Sequence, residues 1–206
     1  KTTENLEELD LSTKHYFDFS SKFVKDFLPT TIELGRSWVQ PAYQPSATNR
    51  RGLFTLDNLW DGLGALIVLN PEVNYFFGKV TMYTDYNSEA RDILLSFMNH
   101  YFPDKDDLVL AKHPLELKYD TASFIASLEG LNYKEGHKLL GVELKERNER
   151  IPPLINSYMN LSDTMKTFGT ASNPDFGGVE ETGILVTISD IHKSKSERHI
   201  ETFVIK

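Results

Sequence analysis

The chain has 206 residues, 40% hydrophobic and 12% aromatic, which is enough for a sizeable core and excludes a disordered class. A formal charge of -8 excludes a general nucleic-acid binder, which needs a concentrated basic surface, and confines any anionic partner to a local basic patch. The absence of cysteine excludes a disulfide scaffold, Cys-ligated zinc and a thiol nucleophile, and fits a cytoplasmic protein. In chain order, Lys1 to Asp10 is charged and without periodicity, a lead-in segment. Phe17, Phe19, Phe23, Val24, Phe27 and Leu28 predict a short helix stopped near Pro29, and Thr31 to Val39 predicts a strand between Pro29 and Pro41. After Arg50-Arg51-Gly52, the residues Leu56, Leu59, Trp60, Leu63, Leu66 and Ile67 fall on one face of a helix, the strongest helical signal in the chain. Tyr75 to Tyr83 reads as a buried strand. Asn87 or Ser88 then caps a helix that turns Ala90, Ile93, Leu94, Phe97 and Tyr101 inward.

From Pro103 to Arg150 the composition becomes polar, with helices expected near Thr121 to Leu128 and Tyr133 to Arg147; this stretch reads as an insertion on a single domain spanning 1–206. Pro152 or Pro153 opens a short amphipathic turn set, Leu154, Ile155, Tyr158 and Leu161. Strands are expected near Thr164 to Thr170 and Gly183 to Ser189, and His192 to His199 as a basic, solvated tail. The longest strongly apolar run, Gly64 to Leu69, is far short of the ~20 residues of a membrane span, and Lys1 opens a polar segment unlike a signal peptide. A soluble or peripheral protein is expected.

The strand before Pro41, the Arg50-Arg51-Gly52 turn and the helix after it form a strand–loop–helix unit whose helix start offers unpaired N–H donors to an anion. Alone, an arginine pair before a helix is more often a solvated turn. Context comes from ordered motifs. Glu33-Leu34-Gly35-Arg36-Ser37-Trp38-Val39-Gln40-Pro41 resembles the E-x-G/S-R-x-x-V-x-P strand of ornithine-lipid N-acyltransferases and, more distantly, of acyl-homoserine-lactone synthases. Asn58 to Leu63 resembles the L-W-x-G-L helix of that family, and Phe77-Gly78-Lys79-Val80 its next strand. Pro153 to Tyr158, Gly169 to Ala171, Asp175-Phe176 and Gly183 to Ser189 resemble its closing blocks. On these residues, from Pro29 to Asp190 without the insertion, the chain resembles the GNAT-superfamily N-acyltransferases, in the hemolysin-labelled branch related to ornithine-lipid and glycine-lipid synthases.

The resemblance implies an α/β (α+β) fold: a GNAT-like mixed central sheet flanked by helices. That family places three strands before the Glu33 strand, and only an irregular lead precedes it here, so the N-terminal strands are expected to be lacking. The implied reaction moves a fatty acyl group from an acyl-phosphopantetheine thioester, on acyl carrier protein or coenzyme A, to the amino group of glycine or ornithine, with no metal. Glu33 is the candidate base for the amine, Arg36 holds Glu33 or the amino-acid carboxylate, and Tyr158 protonates the leaving thiolate. Backbone N–H groups near Trp38, Val39 and Gln40 would bind the oxyanion, while Arg50, Arg51 and Gly52 would meet the pantetheine phosphate or an acidic carrier protein. Peripheral contact with the inner membrane belongs to the same expectation.

Structural readings stand beside these. From spacing alone, Glu33 and Arg36 serve equally well as an ion pair bracing the strand, Tyr158 reads as core with a wet hydroxyl, and Trp38 and Trp60 as plain core. Asp175, Glu180 and Glu181 beside Gly177-Gly178 read as solvated loop acids and not as a metal cluster. The rival functions are an inactive GNAT-like binding module, or a membrane-lytic protein. Against the latter stand the missing apolar hairpin and secretion signal.

Overall fold

The structure is a computed structural model describing residues 10–35, 39–44 and 55–203, of which 55–57 are described in backbone only. Its elements run β1 (Phe17–Phe19), β2 (Thr31–Leu34), α1 (Thr55–Leu69), β3 (Tyr75–Met82), α2 (Ser88–Tyr101), β4 (Val109–Ala111), α3 (Ala122–Ser127), α4 (Tyr133–Glu146), α5 (Pro153–Met159), β5 (Lys166–Asn173), β6 (Val179–Thr187) and α6 (Lys193–His199). Four strands form the main sheet in the order β2-β3-β6-β5. The β2–β3 pair is parallel and the other two pairs are antiparallel. The parallel pair is joined through α1, as a parallel connection requires a crossover. This is the mixed α/β sheet flanked by helices that the motifs implied.

Each face of the sheet carries its own apolar layer. Phe76, Val80 and Met82 of β3 and Ile184 and Val186 of β6 pack with Ile93, Leu94 and Phe97 of α2, Leu140 and Leu144 of α4 and Ile155 of α5. The opposite side chains, Phe77 and Leu185, pack with Phe17, Phe19, Phe23 and Phe168. With both faces covered, β6 is buried from Val179 to Val186, and its second half, Gly183 to Val186, is continuously apolar. Local signals set the helix starts. The Asn87 side chain accepts the N–H groups of Glu89 and Ala90, an Asn132–Glu135 capping box opens α4, and Pro153 opens α5.

Three expectations are corrected. The lead read as a helix from Phe17 begins as β1, paired with β4, and turns helical only afterwards, through a π-turn over Phe23–Phe27 and a 3-10 turn over Leu28–Thr30. Phe17 and Phe19 are buried and Asp18 exposed, a period of two, but the partner that makes this a strand lies some 90 residues away. The strand expected to reach Val39 pairs, among the described residues, over Thr31–Leu34, with Gly35 and Val39 outside it. The tail expected to be solvated is α6, docked on α1. On α1 itself, Trp60, Leu63 and Ile67 pack against the core while Leu59 and Leu66 are exposed, so the apolar stripe is only partly inward.

The α1–α6 contact depends on one glycine. A Cβ on Gly64 would lie 1.6 Å from the carbonyl oxygen of His199, so the two backbones touch where a side chain has no room. The buried His199 ring, through Nδ1, lies 2.7 Å from an Asp61 carboxylate oxygen and secures the contact. Gly→Ala within a helix ordinarily gains up to ~1 kcal/mol. Here Gly64→Ala is expected to lose about 1–3 kcal/mol through overpacking. Urea unfolding of the two proteins checks the reversed sign.

Candidate active site

The point where β2 and β3 stop pairing among the described residues defines the candidate site. Pairing of β2 with β3 runs from Thr31–Tyr75 to Leu34–Gly78, whereas β3 stays paired with β6 as far as Met82–Glu180. The edge of β3 from Lys79 to Met82 therefore has no strand beside it on the β2 side among the described residues. Gly78 stands at the root of this notch, where a Cβ would be 2.7 Å from the Leu34 carbonyl oxygen. The glycine of the Phe77-Gly78-Lys79-Val80 motif thus admits β2 at closest approach, just before the strands part.

Glu33 borders the notch on the sheet face that carries Phe77, its register partner. Its carboxylate receives three hydrogen bonds: Ser12 N–H to Oε2 at 2.8 Å, and Thr13 N–H and Thr13 Oγ1–H to Oε1 at 2.9 and 2.6 Å. These backbone donors open a short 3-10 helix, Ser12–His15, whose first N–H groups need an outside acceptor. The glutamate is therefore held in one orientation, and Oε2, with one bond, keeps room for another donor.

Tyr158 belongs to the other face. It lies on α5, buried, with its ring edge-on to Trp60 at 5.2 Å between centroids. Burial pushes the phenol up from 10.0 to about 12, so it is protonated at neutral pH. A raised phenol contributes stability that is present below pH 10 and is lost as pH rises toward 12. Tyr158→Phe is accordingly expected to remove on the order of 2 kcal/mol of alkaline destabilisation between those limits, read from melting temperature against pH.

The structure also gathers charges that the sequence reading misplaced. Glu180 and Glu181, expected as solvated loop acids, are buried on β6, and as neighbours on a strand they point to opposite faces. Glu180 faces the helices and pairs with Arg91 Nη1 at 2.5 Å, and Arg91 also pairs with the fully buried Asp92. Asp92 further accepts the N–H groups of Lys118 and Tyr119 at 2.7 and 3.0 Å. Burial raises the Glu180 carboxyl above its usual range, against the pull of Arg91. Glu181 faces the Glu33 side. It pairs with Lys79 Nζ and accepts bonds from Thr81 Oγ1 at 2.6 Å and Asn173 Nδ2 at 3.1 Å. Asp175 stays exposed, as expected of a loop acid. Only the apolar stretch that follows them, Gly183 to Val186, hinted at burial.

Val39 and Gln40 lie in the segment leading to the 3-10 helix Pro41–Tyr43, and their N–H groups donate to nothing among the described residues. Arg36, Trp38, Arg50, Arg51 and Gly52 lie outside the described residues. No group of three or more His, Asp or Glu side chains placed to hold a metal occurs among the described residues, nor does a helix long and apolar enough to cross a membrane.

A mixed sheet with a parallel βαβ unit, opened beside a fixed carboxylate, is consistent with the N-acyltransferase class of GNAT type. Comparison with known proteins finds relatives along most of this chain. The chain is 50% identical over 198 residues to the glycine N(alpha)-acyltransferase of Phocaeicola vulgatus, covering 94% of this chain and 60% of that protein. It is 49% identical over 194 residues to the glycine N(alpha)-acyltransferase of Bacteroides thetaiotaomicron, covering 94% of this chain and 58% of that protein. The chain thus spans about 60% of the length of these relatives. No protein-family model matches it, and no solved structure does.

Proposed function

We propose that this chain carries the acyl-transfer site of a glycine N-acyltransferase. A fatty acyl group passes from an acyl-phosphopantetheine thioester, on acyl carrier protein or coenzyme A, to the amino group of glycine, at the start of aminolipid synthesis. The observation that carries this reading is the notch between β2 and β3 beside an oriented Glu33. The two relatives, both glycine N(alpha)-acyltransferases, suggest the acceptor.

In this reading the glycine ammonium gives its proton to Glu33, directly or through one water. The free amine attacks the thioester carbonyl, and N–H groups at Val39 and Gln40 meet the oxyanion. The C–S bond then breaks, the thiolate takes the Tyr158 proton, and the surplus proton on the attacking nitrogen passes through water to the phenolate, leaving the neutral amide. Glu33 and Tyr158 flank the sheet from opposite faces, so acceptor and donor approach from two sides and meet at the notch. Arg36 holds Glu33 or the acceptor carboxylate, and the Trp38 N–H joins those of Val39 and Gln40. Arg50, Arg51 and Gly52 receive the pantetheine phosphate or an acidic carrier protein. The enzyme works in the cytoplasm with peripheral contact to the inner membrane, where its product belongs.

Mass spectrometry of lipids from cells expressing the full-length gene tests the reading. A new N-acylglycine is the expected result, and an unchanged lipid profile together with no transfer to glycine from either donor in vitro would overturn it.

A further inference from the structure

A second charged residue shares the notch with Glu33. Lys79 follows Phe77 by two positions on β3 and so projects from the same face as Glu33, whose register partner is Phe77. Diagonal neighbours on adjacent strands lie within reach of long side chains. Lys79 is also the first residue of β3 beyond the last β2 pair, at the point where the strands part. Its side chain keeps 24% exposure, while that of Glu181 beneath it keeps 1%.

The support under Lys79 is more elaborate than neutralising one lysine requires. A carboxylate this deeply buried carries a desolvation penalty of several kcal/mol, and well-packed apolar residues often do as well or better for stability. Glu181 is nevertheless held by Thr81 and Asn173, and Asn173 leaves a buried Oδ1 with no partner among the described residues. The Tyr16 ring lies beside the ammonium at 5.2 Å. Lysine is flexible, and these contacts hold one in place. An ammonium has three donors. Glu181 engages one, and no other acceptor is bound among the described residues.

Resting on the function proposed above, we propose that Lys79 binds the α-carboxylate of the amino-acid acceptor, with Glu181 fixing the lysine and Glu33 receiving the acceptor's amino group. An α-amino acid spans the gap between the two side chains, its anionic end on Lys79 and its cationic end on Glu33. Lys79 thereby sets the specificity for a free amino acid over a carboxylate-free amine.

The test uses the full-length enzyme with glycine and with glycinamide, which lacks the anionic end. Lys79→Met is expected to raise KM for glycine about 10- to 100-fold, the loss of a hydrogen bond to a charged group. It should leave kcat within about threefold and make the two acceptors nearly equal in kcat/KM, while Lys79→Arg recovers part of the preference. Because Lys79→Met strands the Glu181 carboxylate, the double variant Lys79→Gln/Glu181→Gln, which removes both charges together, carries the same measurement. The inference is overturned if either folded variant keeps KM for glycine within twofold and still prefers glycine. Failure of the wild-type enzyme to acylate glycine at all overturns the proposed function as well, so the two failures are told apart.

Discussion

Glu33→Gln is expected to lower kcat for glycine acylation by about 10²- to 10⁴-fold, the span associated with a positioned general base. The amide cannot take the ammonium proton, yet it keeps the size of the glutamate and one acceptor for Thr13. The competing view is that Glu33 only tethers the Ser12–His15 turn to β2, since both its oxygens are occupied by Ser12 and Thr13. Thr13→Val separates the two. It removes the 2.6 Å hydroxyl bond and about 1 kcal/mol of stability while leaving the carboxylate intact. Thermal melts and steady-state kinetics on both variants decide the matter. If Glu33→Gln keeps kcat within about fivefold of wild type, the base lies elsewhere and Glu33 is a tether; if Thr13→Val loses as much as Glu33→Gln, orientation of the turn matters more than proton transfer.

What the sequence disclosed followed the range of the interactions involved. The stretch opening at Thr31, the Leu56 to Ile67 stripe and Tyr75 to Tyr83 announce a strand, helix and strand through local periodicity, and β2 over Thr31–Leu34, α1 and β3 are found there. Asn87 and Pro153 announce helix starts by their own backbone chemistry. Glu33 could be picked as a candidate because the motif from Glu33 to Pro41 resembles that of N-acyltransferases, whose chemistry calls for a carboxylate to take the amine proton. The notch could not be read in this way. Its boundary at Leu34–Gly78 depends on where two strands part, and nothing in either strand states that alone.

The same limit hid Lys79, Glu181 and Arg91. Glu180-Glu181 follows Gly177-Gly178, and a pair of acids after a pair of glycines reads as a loop. Their burial depends on Lys79 and Thr81 from a strand about 100 residues earlier and on Arg91 from α2, 89 residues earlier. His199 presents the same case, since its seat is a missing side chain at Gly64 and a carboxylate at Asp61, 138 residues away. Contacts of this kind are set by tertiary pairing, and sequence spacing carries no trace of them.

Arg91→Met is expected to destabilise the fold by about 3–5 kcal/mol, the range for breaking a buried ion pair from one side. The methionine replaces the stem of the arginine but leaves Asp92 and Glu180, both buried, without their shared cation. Asp92 keeps the two backbone bonds from Lys118 and Tyr119, so the loss falls most heavily on Glu180. For a chain of this size the melting temperature should drop by roughly 2–4 °C per kcal/mol. The pH dependence is diagnostic. Burial already raises the Glu180 carboxyl above 4.5, and without Arg91 it rises further. A carboxyl raised in the folded state favours folding below its unfolded value and withdraws that support as pH climbs. The deficit of Arg91→Met relative to wild type should therefore be small near pH 4 and grow above about pH 4.5. The triple variant Arg91→Met/Asp92→Asn/Glu180→Gln, which leaves no charge to strand, should regain much of the loss. A deficit below about 1 kcal/mol, flat from pH 4 to 8, is what a solvated surface pair would give, and would mean that these three residues do not form the buried clasp between α2 and β6.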